Sequence, residues 1–252
     1  MDRHGICAIG VMAKAPQPGR AKTRLCPPLQ PAQAAELSAA FLRDITENIA
    51  LAGRAAPIHG CIAYAPAGGE AWFGGHLAEG TGLVLADGSP PMPPDVQGLG
   101  RCLLHAAQAI FGLGFGAVCL LNSDSPTLPT ALLVQAVQAL LVPGERVVLG
   151  PAEDGGYYLI GMKQPHAHLF ADIAWSTSEV AAATRDRAVS LGLEVITLSS
   201  WYDVDDADSL ARLLAEAAGD ASAAEPRPYA ARATRDWIER NGLAASLGIA
   251  AQ

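Results

Sequence analysis

Charged and aromatic residues are scarce in this sequence. Asp, Glu, Lys and Arg together make up 17% of the 252 residues, and Phe, Trp and Tyr make up 6%. Basic residues are fewer than acidic ones: the sequence has 17 Lys and Arg and 25 Asp and Glu, which gives a formal net charge of −8. A nucleic-acid-binding domain usually carries a basic surface, so this balance argues against nucleic acid as a partner. Half of the residues are hydrophobic, which excludes disorder along the whole chain.

The sequence also lacks a cysteine motif and an uninterrupted apolar span. Its five cysteines are odd in number, lie far apart and form no C-x-x-C pair. We therefore expect neither a disulfide framework nor a cysteine-ligated zinc site, and reduced cysteines favour a cytoplasmic protein. Residues 102–123 carry no formal charge, but His105, Gln108 and a Gly-x-Gly-x-Gly sequence at 112–116 interrupt them. We expect a helix, a turn and a strand there, and no membrane span.

Segments with the patterns of strands and helices alternate along most of the chain. Short hydrophobic runs predict strands at 6–12, 58–64, 83–86, 117–121, 147–149, 157–162 and 194–198. Helical spacing predicts helices at 31–51, 97–111, 129–141, 206–218 and 234–240. A capping-box sequence at 176–179 predicts the start of a further helix, which would end before Gly192. This order predicts an α/β fold, with helices on both faces of a mainly parallel sheet. A ligand site is then expected at the carboxyl ends of the strands.

One domain is predicted for residues 1–218. A chain of this length fits one large domain better than two small ones. The segment 219–229 has the composition of a linker, and a short amphipathic helix follows it. We therefore interpret residues 219–252 as a C-terminal linker with a short helical tail.

The clearest functional signal is a basic loop after the first strand. Four of the 17 basic residues, Lys14, Arg20, Lys22 and Arg24, fall within 11 positions, and no acidic residue lies among them. Phosphate is the natural ligand for such a loop, because lysine and arginine supply charge and hydrogen bonds while Gly19 lets the backbone approach closely. The alternative is a solvated basic loop that pairs with surface acids.

Two aspartates are candidates for a divalent metal site. Asp124 follows the strand at 117–121, where its carboxylate would face the basic loop, and this arrangement suits Mg²⁺ or Mn²⁺ bridging phosphate oxygens. Asp205 lies in the acidic run 203–206 after the last strand and would supply a second ligand. The alternatives are a turn or helix cap at Asp124, and an N-cap for the last core helix within the acidic run.

A glycine pair at 155–156 separates a carboxylate from an aromatic side chain. The sequence is Asp154-Gly155-Gly156-Tyr157, and the glycines expose backbone N–H groups. These groups suit a hydroxyl-rich or phosphate-bearing substrate. The alternative is a tight hairpin turn with no further role.

Taken together, these motifs resemble those of the DUF2064 family, also called selenodomain-associated transferase 1. The matching pieces, which cover about residues 6–215, are Lys14-x-Pro16-x-Pro18-Gly19-x-x-Lys22-Thr23-Arg24-Leu25, Gln97-Gly98-x-Gly100-Arg101, Asp124-x-Pro126-x-Leu128, Gly150-Pro151-Ala152-x-Asp154-Gly155-Gly156-Tyr157, Trp175-Ser176-Thr177 and Asp203-Val204-Asp205. The first loop is also similar to that of the phospholactate guanylyltransferases. The resemblance implies a single-domain, Rossmann-like nucleotide-diphospho-sugar transferase fold of the GT-A type.

The resemblance also implies roles for the matching residues. Lys14, Lys22 and Arg24 would contact the phosphates of a nucleotide or nucleotide sugar. Asp124, with Asp205, would coordinate the metal. The turn from Asp154 to Tyr157 would face the second substrate. Beyond the resemblance, we predict that Asp154 is the catalytic carboxylate that acts on the acceptor. We also predict that the substrate is bound by Gly155, Gly156, Tyr157, Trp175, Ser176 and Thr177.

These features predict a metal-dependent transferase that moves a glycosyl group from a nucleotide sugar to an acceptor. The metal and the basic loop would stabilise charge on the leaving diphosphate. One alternative is a nucleotidylyltransferase, in which a phosphorylated substrate attacks a nucleoside triphosphate and releases pyrophosphate. A loop with four basic residues favours this alternative, because three phosphates need more neutralisation than two. Another alternative is a nucleotide-binding domain without turnover.

Overall fold

Strands and helices alternate in the structure, a computed structural model that describes residues 3–218 and 226–243. The strands are β1 (Arg3–Lys14), β2 (Ile58–Ala65), β3 (Gly82–Leu85), β4 (Phe115–Asn122), β5 (Arg146–Pro151), β6 (Tyr157–Met162) and β7 (Glu194–Thr197). The helices are α1 (Pro31–Ala52), α2 (Leu99–Phe111), α3 (Thr130–Leu141), α4 (Val180–Ser190), α5 (Ala207–Ala218) and α6 (Arg232–Arg240). No helix of this described part is long and apolar enough to cross a membrane.

The seven strands form one sheet in the order β3-β2-β1-β4-β6-β5-β7. Strand β1 pairs in parallel with β2 and β4, β2 with β3, and β5 with β7. Strand β6 is antiparallel to both of its neighbours, β4 and β5. The predicted α/β fold with a mainly parallel sheet is confirmed. Because β6 is reversed, its first residue lies at the edge where the other strands end.

Two hydrophobic layers cover the two faces of the sheet. Side chains of β1 alternate between them: Ile9 and Val11 pack with α1 and α3, and Ala8 packs with α2 on the opposite face. The backbone of β1 lies very close to α2, since a Cβ on Gly10 would lie 2.6 Å from Cδ1 of Ile110. Helices α5 and α6 join α1 and α3 on the first face, and α4 joins α2 on the second.

The start of α4 differs from its prediction. The expected capping box at 176–179 does not form, and the helix begins at Val180. Ser176 has a left-handed backbone with φ of 64°, which is incompatible with an N-cap residue. The Thr177 hydroxyl donates to the carbonyl of Ala174 at 2.8 Å, so it turns back toward the preceding loop. The capping-box prediction was wrong because Ser176 is left-handed and the Thr177 hydroxyl stabilises a turn before the helix.

Helix α6, in the predicted C-terminal tail, packs against α1. Its first turn donates two backbone hydrogen bonds to the buried carboxylate of Asp44, from Ala233 at 2.9 Å and from Thr234 at 2.7 Å. The indole of Trp237 is buried in the first hydrophobic layer and donates to Glu36 at 3.0 Å. Burial raises the pKa of Asp44, and hydrogen bonds from Thr234 and Ala233 oppose that rise. Residues 219–225 of the predicted linker lie outside the described residues.

We expect Asp44→Ala to lower the free energy of unfolding by about 2 kcal/mol, because two N–H groups at the start of α6 would lose their acceptor. Urea unfolding followed by circular dichroism measures the change. Asp236→Ala removes the same charge from an exposed position on α6 and is the matched control. Equal stabilities of the two variants would contradict the capping role of Asp44.

Candidate functional site

A cleft of about 660 Å³ opens at the carboxyl ends of the strands. It is lined by the ends of β1 and β4, the turn between β5 and β6, and the acidic run after β7. All but two of the predicted site residues line it, namely Lys14, Arg20, Lys22, Arg24, Asp124, Asp154, Gly156, Tyr157, Trp175, Ser176, Thr177 and Asp205. Gly19 and Gly155 do not. A larger cavity of about 1250 Å³ lies between α1, α3, α5 and residues 226–235, and none of the predicted residues lines it.

Lys22 lies inside the cleft between the two aspartates that were predicted as metal ligands. Its Nζ is 2.5 Å from Oδ1 of Asp124 and 3.2 Å from Oδ1 of Asp205. It also donates to the carbonyl oxygen of Val204 at 2.6 Å. Its side chain is only 6% exposed. Through these contacts Lys22 joins the basic loop to Asp124, which follows β4, and to the acidic run, which follows β7.

The other three basic side chains of the loop remain open to solvent. Within residues 3–218 and 226–243, Lys14 and Arg20 are exposed and form no ion pair. Arg24 is 73% exposed, and its Nη1 lies 3.9 Å from Oδ2 of Asp205. Gly19 has φ of 75° and no atom within 4 Å of a Cβ position, so the loop turns there in open space. Among the described residues, Lys14 and Arg20 therefore leave unpaired positive charge at the mouth of the cleft, and Arg24 has only a long, solvent-exposed ion pair with Asp205.

The acidic run contributes more than the predicted Asp205. Burial, together with the charges of Asp205, Asp154 and Asp124, raises the pKa of Asp203 to about 6. All four of these aspartates line the cleft. Asp206, by contrast, accepts from the Ser209 backbone N–H at 2.9 Å at the start of α5. The N-cap alternative therefore applies to the last residue of the run only, and the alternation of acids at 203 and 205 was the signal for Asp203.

The glycine turn is a tight hairpin that also holds the cleft together. Oδ1 of Asp154 accepts from the Gly156 backbone N–H at 2.8 Å. The carbonyl of Gly155 accepts from Ala181 at 3.0 Å, which ties the turn to α4. The ring of Tyr157 lines the cleft, but its hydroxyl is buried. Within this turn, Asp154 and the backbone are therefore the polar groups that face the cleft.

Trp175 forms one wall of the cleft and explains the glycines at 98 and 100. Its Nε1 donates to the carbonyl of Gln97 at 3.0 Å. A Cβ on Gly98 would lie 3.1 Å from Cδ1 of Trp175, and one on Gly100 would lie 3.0 Å from its Cζ2. Arg101 donates to the carbonyl of Gly88 at 2.8 Å and holds the loop after β3. The Gln97–Arg101 motif thus positions the walls of the cleft.

The fit of a divalent metal can be judged from the donor atoms. In the described part of the chain, no group of three or more His, Cys, Asp and Glu side chains is arranged to hold a metal ion. Two carboxylate oxygens and the carbonyl oxygen of Val204 nevertheless surround one cation, the ammonium group of Lys22. Hard oxygen ligands of this kind are those that Mg²⁺ and Mn²⁺ prefer. The donor set fits either metal.

The fold and the cleft define an α/β protein with a nucleotide-diphospho-sugar transferase-like fold. The profile of DUF2064, an uncharacterized protein family conserved in bacteria, matches residues 49–177. Since this match spans just over half of the chain, the protein belongs to that family. Comparison with curated proteins finds no match.

The solved structures that are similar to this chain include the following two. A protein from Desulfovibrio desulfuricans G20, named as a nucleotide-diphospho-sugar transferase, has 27% sequence identity and a TM-score of 0.72, with 96% of each chain covered. CMP:2-keto-3-deoxy-manno-octonic acid synthetase, solved in complex with CTP, has 12% identity and a TM-score of 0.51, with 82% of this chain and 96% of that chain covered. At this lower identity the second similarity shows the fold alone.

Proposed function

We propose that this protein is a transferase that moves a glycosyl group from a nucleotide sugar to an acceptor, with a divalent cation held at Asp124 and Asp205. The observation that carries the proposal is one cleft in which exposed Lys14, Arg20 and Arg24 face a cluster of aspartates. A diphosphate supplies the negative charge that the exposed basic residues lack. The name and full-length similarity of the Desulfovibrio protein support the choice of donor.

Each group has a separate task in this proposal. Lys14, Arg20 and Arg24 bind the phosphates through charge and hydrogen bonds. Asp124 and Asp205 would hold Mg²⁺ or Mn²⁺, which would supply Lewis-acid stabilisation of the leaving diphosphate. Asp154, held by the Gly156 backbone N–H, takes the proton of the acceptor hydroxyl. Trp175 and the loop that follows it form the wall of the acceptor site.

Nucleotidylyl transfer is the second candidate. The three exposed basic side chains favour it, because a triphosphate carries more charge than the diphosphate of a nucleotide sugar. The fold is compatible with both reactions, since the synthetase solved with CTP shares it. The two reactions differ in product: glycosyl transfer releases a nucleoside diphosphate, and nucleotidylyl transfer releases pyrophosphate.

A thermal-shift screen of nucleotide sugars and nucleoside triphosphates, with Mg²⁺, Mn²⁺ or chelator, tests the proposal. A ligand that binds only the folded protein raises its melting temperature. We expect the largest metal-dependent increase with a nucleotide sugar, and release of the nucleoside diphosphate when acceptors are supplied. An increase with one triphosphate and release of pyrophosphate would favour the second candidate. Binding without any product would indicate a nucleotide-binding domain without turnover, and no binding would contradict all three.

A further inference from the structure

The basic loop divides into one enclosed cation and three exposed ones. Lys22 contacts Asp124, Asp205 and the Val204 carbonyl through one nitrogen atom, and its side chain is 6% exposed. Its Nζ also lies 5.2 Å from the ring centroid of Phe41, which closes the apolar side of this position. The exposed residues Lys14, Arg20 and Arg24 have no comparable set of partners. Residues of one loop thus lie in two different electrostatic environments.

The backbone directs Lys22 toward the aspartates. Lys22 has φ of 49° and ψ of 40°, in the left-handed region that non-glycine residues seldom occupy. A 3-10 turn at Thr23–Leu25 follows it directly, and the side chain of Leu25 is fully buried. Ala21, directly before Lys22, is buried as well, so the loop is anchored on both sides of this unusual conformation. Because the surrounding structure fixes the left-handed backbone of Lys22, the fold of the loop itself directs this side chain inward.

We propose that Lys22 is a positioning residue that occupies the cation position between Asp124 and Asp205 until a divalent metal replaces it there. The inference rests on the proposed function, because it concerns the same two aspartates. Nζ lies 2.5 Å from the Asp124 oxygen, and a Mg²⁺–oxygen bond is about 2.1 Å long. Because the two distances are similar, the ammonium group and the metal ion cannot occupy this position together, and they compete for it. In the free protein, Lys22 keeps two neighbouring carboxylates together that would otherwise repel each other.

The competition couples metal binding to nucleotide binding. Once a metal takes the carboxylates, the ammonium group of Lys22 needs a new anionic partner, and the phosphates at the mouth of the cleft provide one. A nucleotide therefore favours the outward position of Lys22, and so does the metal. Two ligands that favour the same state increase each other's affinity. Metal alone is then expected to bind weakly, and metal with nucleotide to bind more tightly.

Mn²⁺ binding without nucleotide tests the competition directly. Free Mn²⁺ is measured by electron paramagnetic resonance for the wild-type protein and for Lys22→Met, which keeps the length of the side chain and removes its charge. We expect the variant to bind Mn²⁺ about tenfold more tightly, although it binds nucleotide less tightly. Arg20→Met removes one charge from the same loop and is the control, with weaker nucleotide binding and unchanged affinity for Mn²⁺. Unchanged Mn²⁺ affinity in Lys22→Met, or an equal increase in Arg20→Met, would overturn the inference.

A second measurement uses the unaltered protein, in case Lys22→Met does not fold. The chain has three lysines, Lys14, Lys22 and Lys163, so protein labelled with ¹³C at lysine Cε gives three resolvable signals. Lys163 donates to the carbonyls of Val142 and Gly144, away from the cleft. We expect Mg²⁺ with nucleotide to shift the Lys22 signal and to leave that of Lys163 unchanged. If the enzyme is active but the Lys22 signal does not shift with Mg²⁺, this inference is overturned and the proposed function is not. If the signal shifts but no transfer is detected, only the proposed function is contradicted.

Discussion

Asp124→Asn is expected to remove the metal-dependent part of nucleotide binding and to reduce transfer by about a thousandfold. The carboxylate of Asp124 is one of the two that surround the cation position, and an amide cannot replace its charge. The Asp124 carbonyl accepts from the Val204 backbone N–H at 2.8 Å, and this backbone contact is unaffected by the substitution. The fold should therefore survive. The shift of melting temperature on adding nucleotide, with and without Mg²⁺, measures the effect on binding, and single-turnover kinetics measures the effect on transfer.

Asp186→Asn is the matched control for this experiment. Asp186 is exposed on α4, and its substitution makes the same change of charge outside the cleft. It should leave both the metal-dependent shift and the transfer rate unchanged. If Asp124→Asn binds nucleotide with undiminished dependence on Mg²⁺, Asp124 does not hold the metal.

The second large effect is expected from Gly155→Ala. Gly155 has φ of 90°, and a Cβ there would lie 2.1 Å from the carbonyl oxygen of Ser178. Either the turn or the segment before α4 must move, and the hydrogen bond from Ala181 to Gly155 is lost with that movement. We expect a decrease of about 3 kcal/mol in the free energy of unfolding, together with loss of substrate binding at the wall formed by residues 175–178. Urea unfolding measures the first quantity, and the acceptor concentration that gives half-maximal transfer measures the second.

Gly114→Ala is the control that separates the steric clash expected at residue 155 from the cost of a left-handed backbone. Gly114 has nearly the same φ, 89°, but no atom lies within 4 Å of a Cβ placed there. Only the cost of a left-handed alanine remains, which is about 1 kcal/mol. Similar losses of stability in the two variants would show that the Ser178 contact relaxes freely and that the glycine turn does not hold the tryptophan segment.

The elements of this fold are visible in the sequence because each has a local cause. The apolar run that becomes β4 and the Pro31 start of α1 need no knowledge of distant residues. The direction of β6 has no such local cause, since a short apolar strand looks the same whichever way it runs. Only the pairing with β4 and β5 reverses it. The capping-box prediction failed for a related reason, because the left-handed backbone of Ser176 cannot be read from the residue type.

The cleft shows the same division between local and distant causes. Its place at the strand ends follows from the fold class, and most of the predicted residues line it. The partner of each charge was not predictable, because Lys22 and Asp205 are separated by 183 positions. Nothing in the basic loop distinguishes Lys22 from Arg20 or Arg24 as the residue that turns inward. The roles of Asp124 and Lys22 are predictions that the variants above test directly.

The contact between α6 and α1 determines how far a fragment of this chain must extend if it is to fold by itself. A chain ending at residue 218 would retain the seven strands of the described residues and all the residues that line the cleft. It would also leave the buried carboxylate of Asp44 without its two N–H partners and uncover the apolar surface that Trp237 and Ile238 occupy. Fragments for crystallisation or for fusion to other proteins should therefore extend through α6, even though this helix lies far from the chemistry.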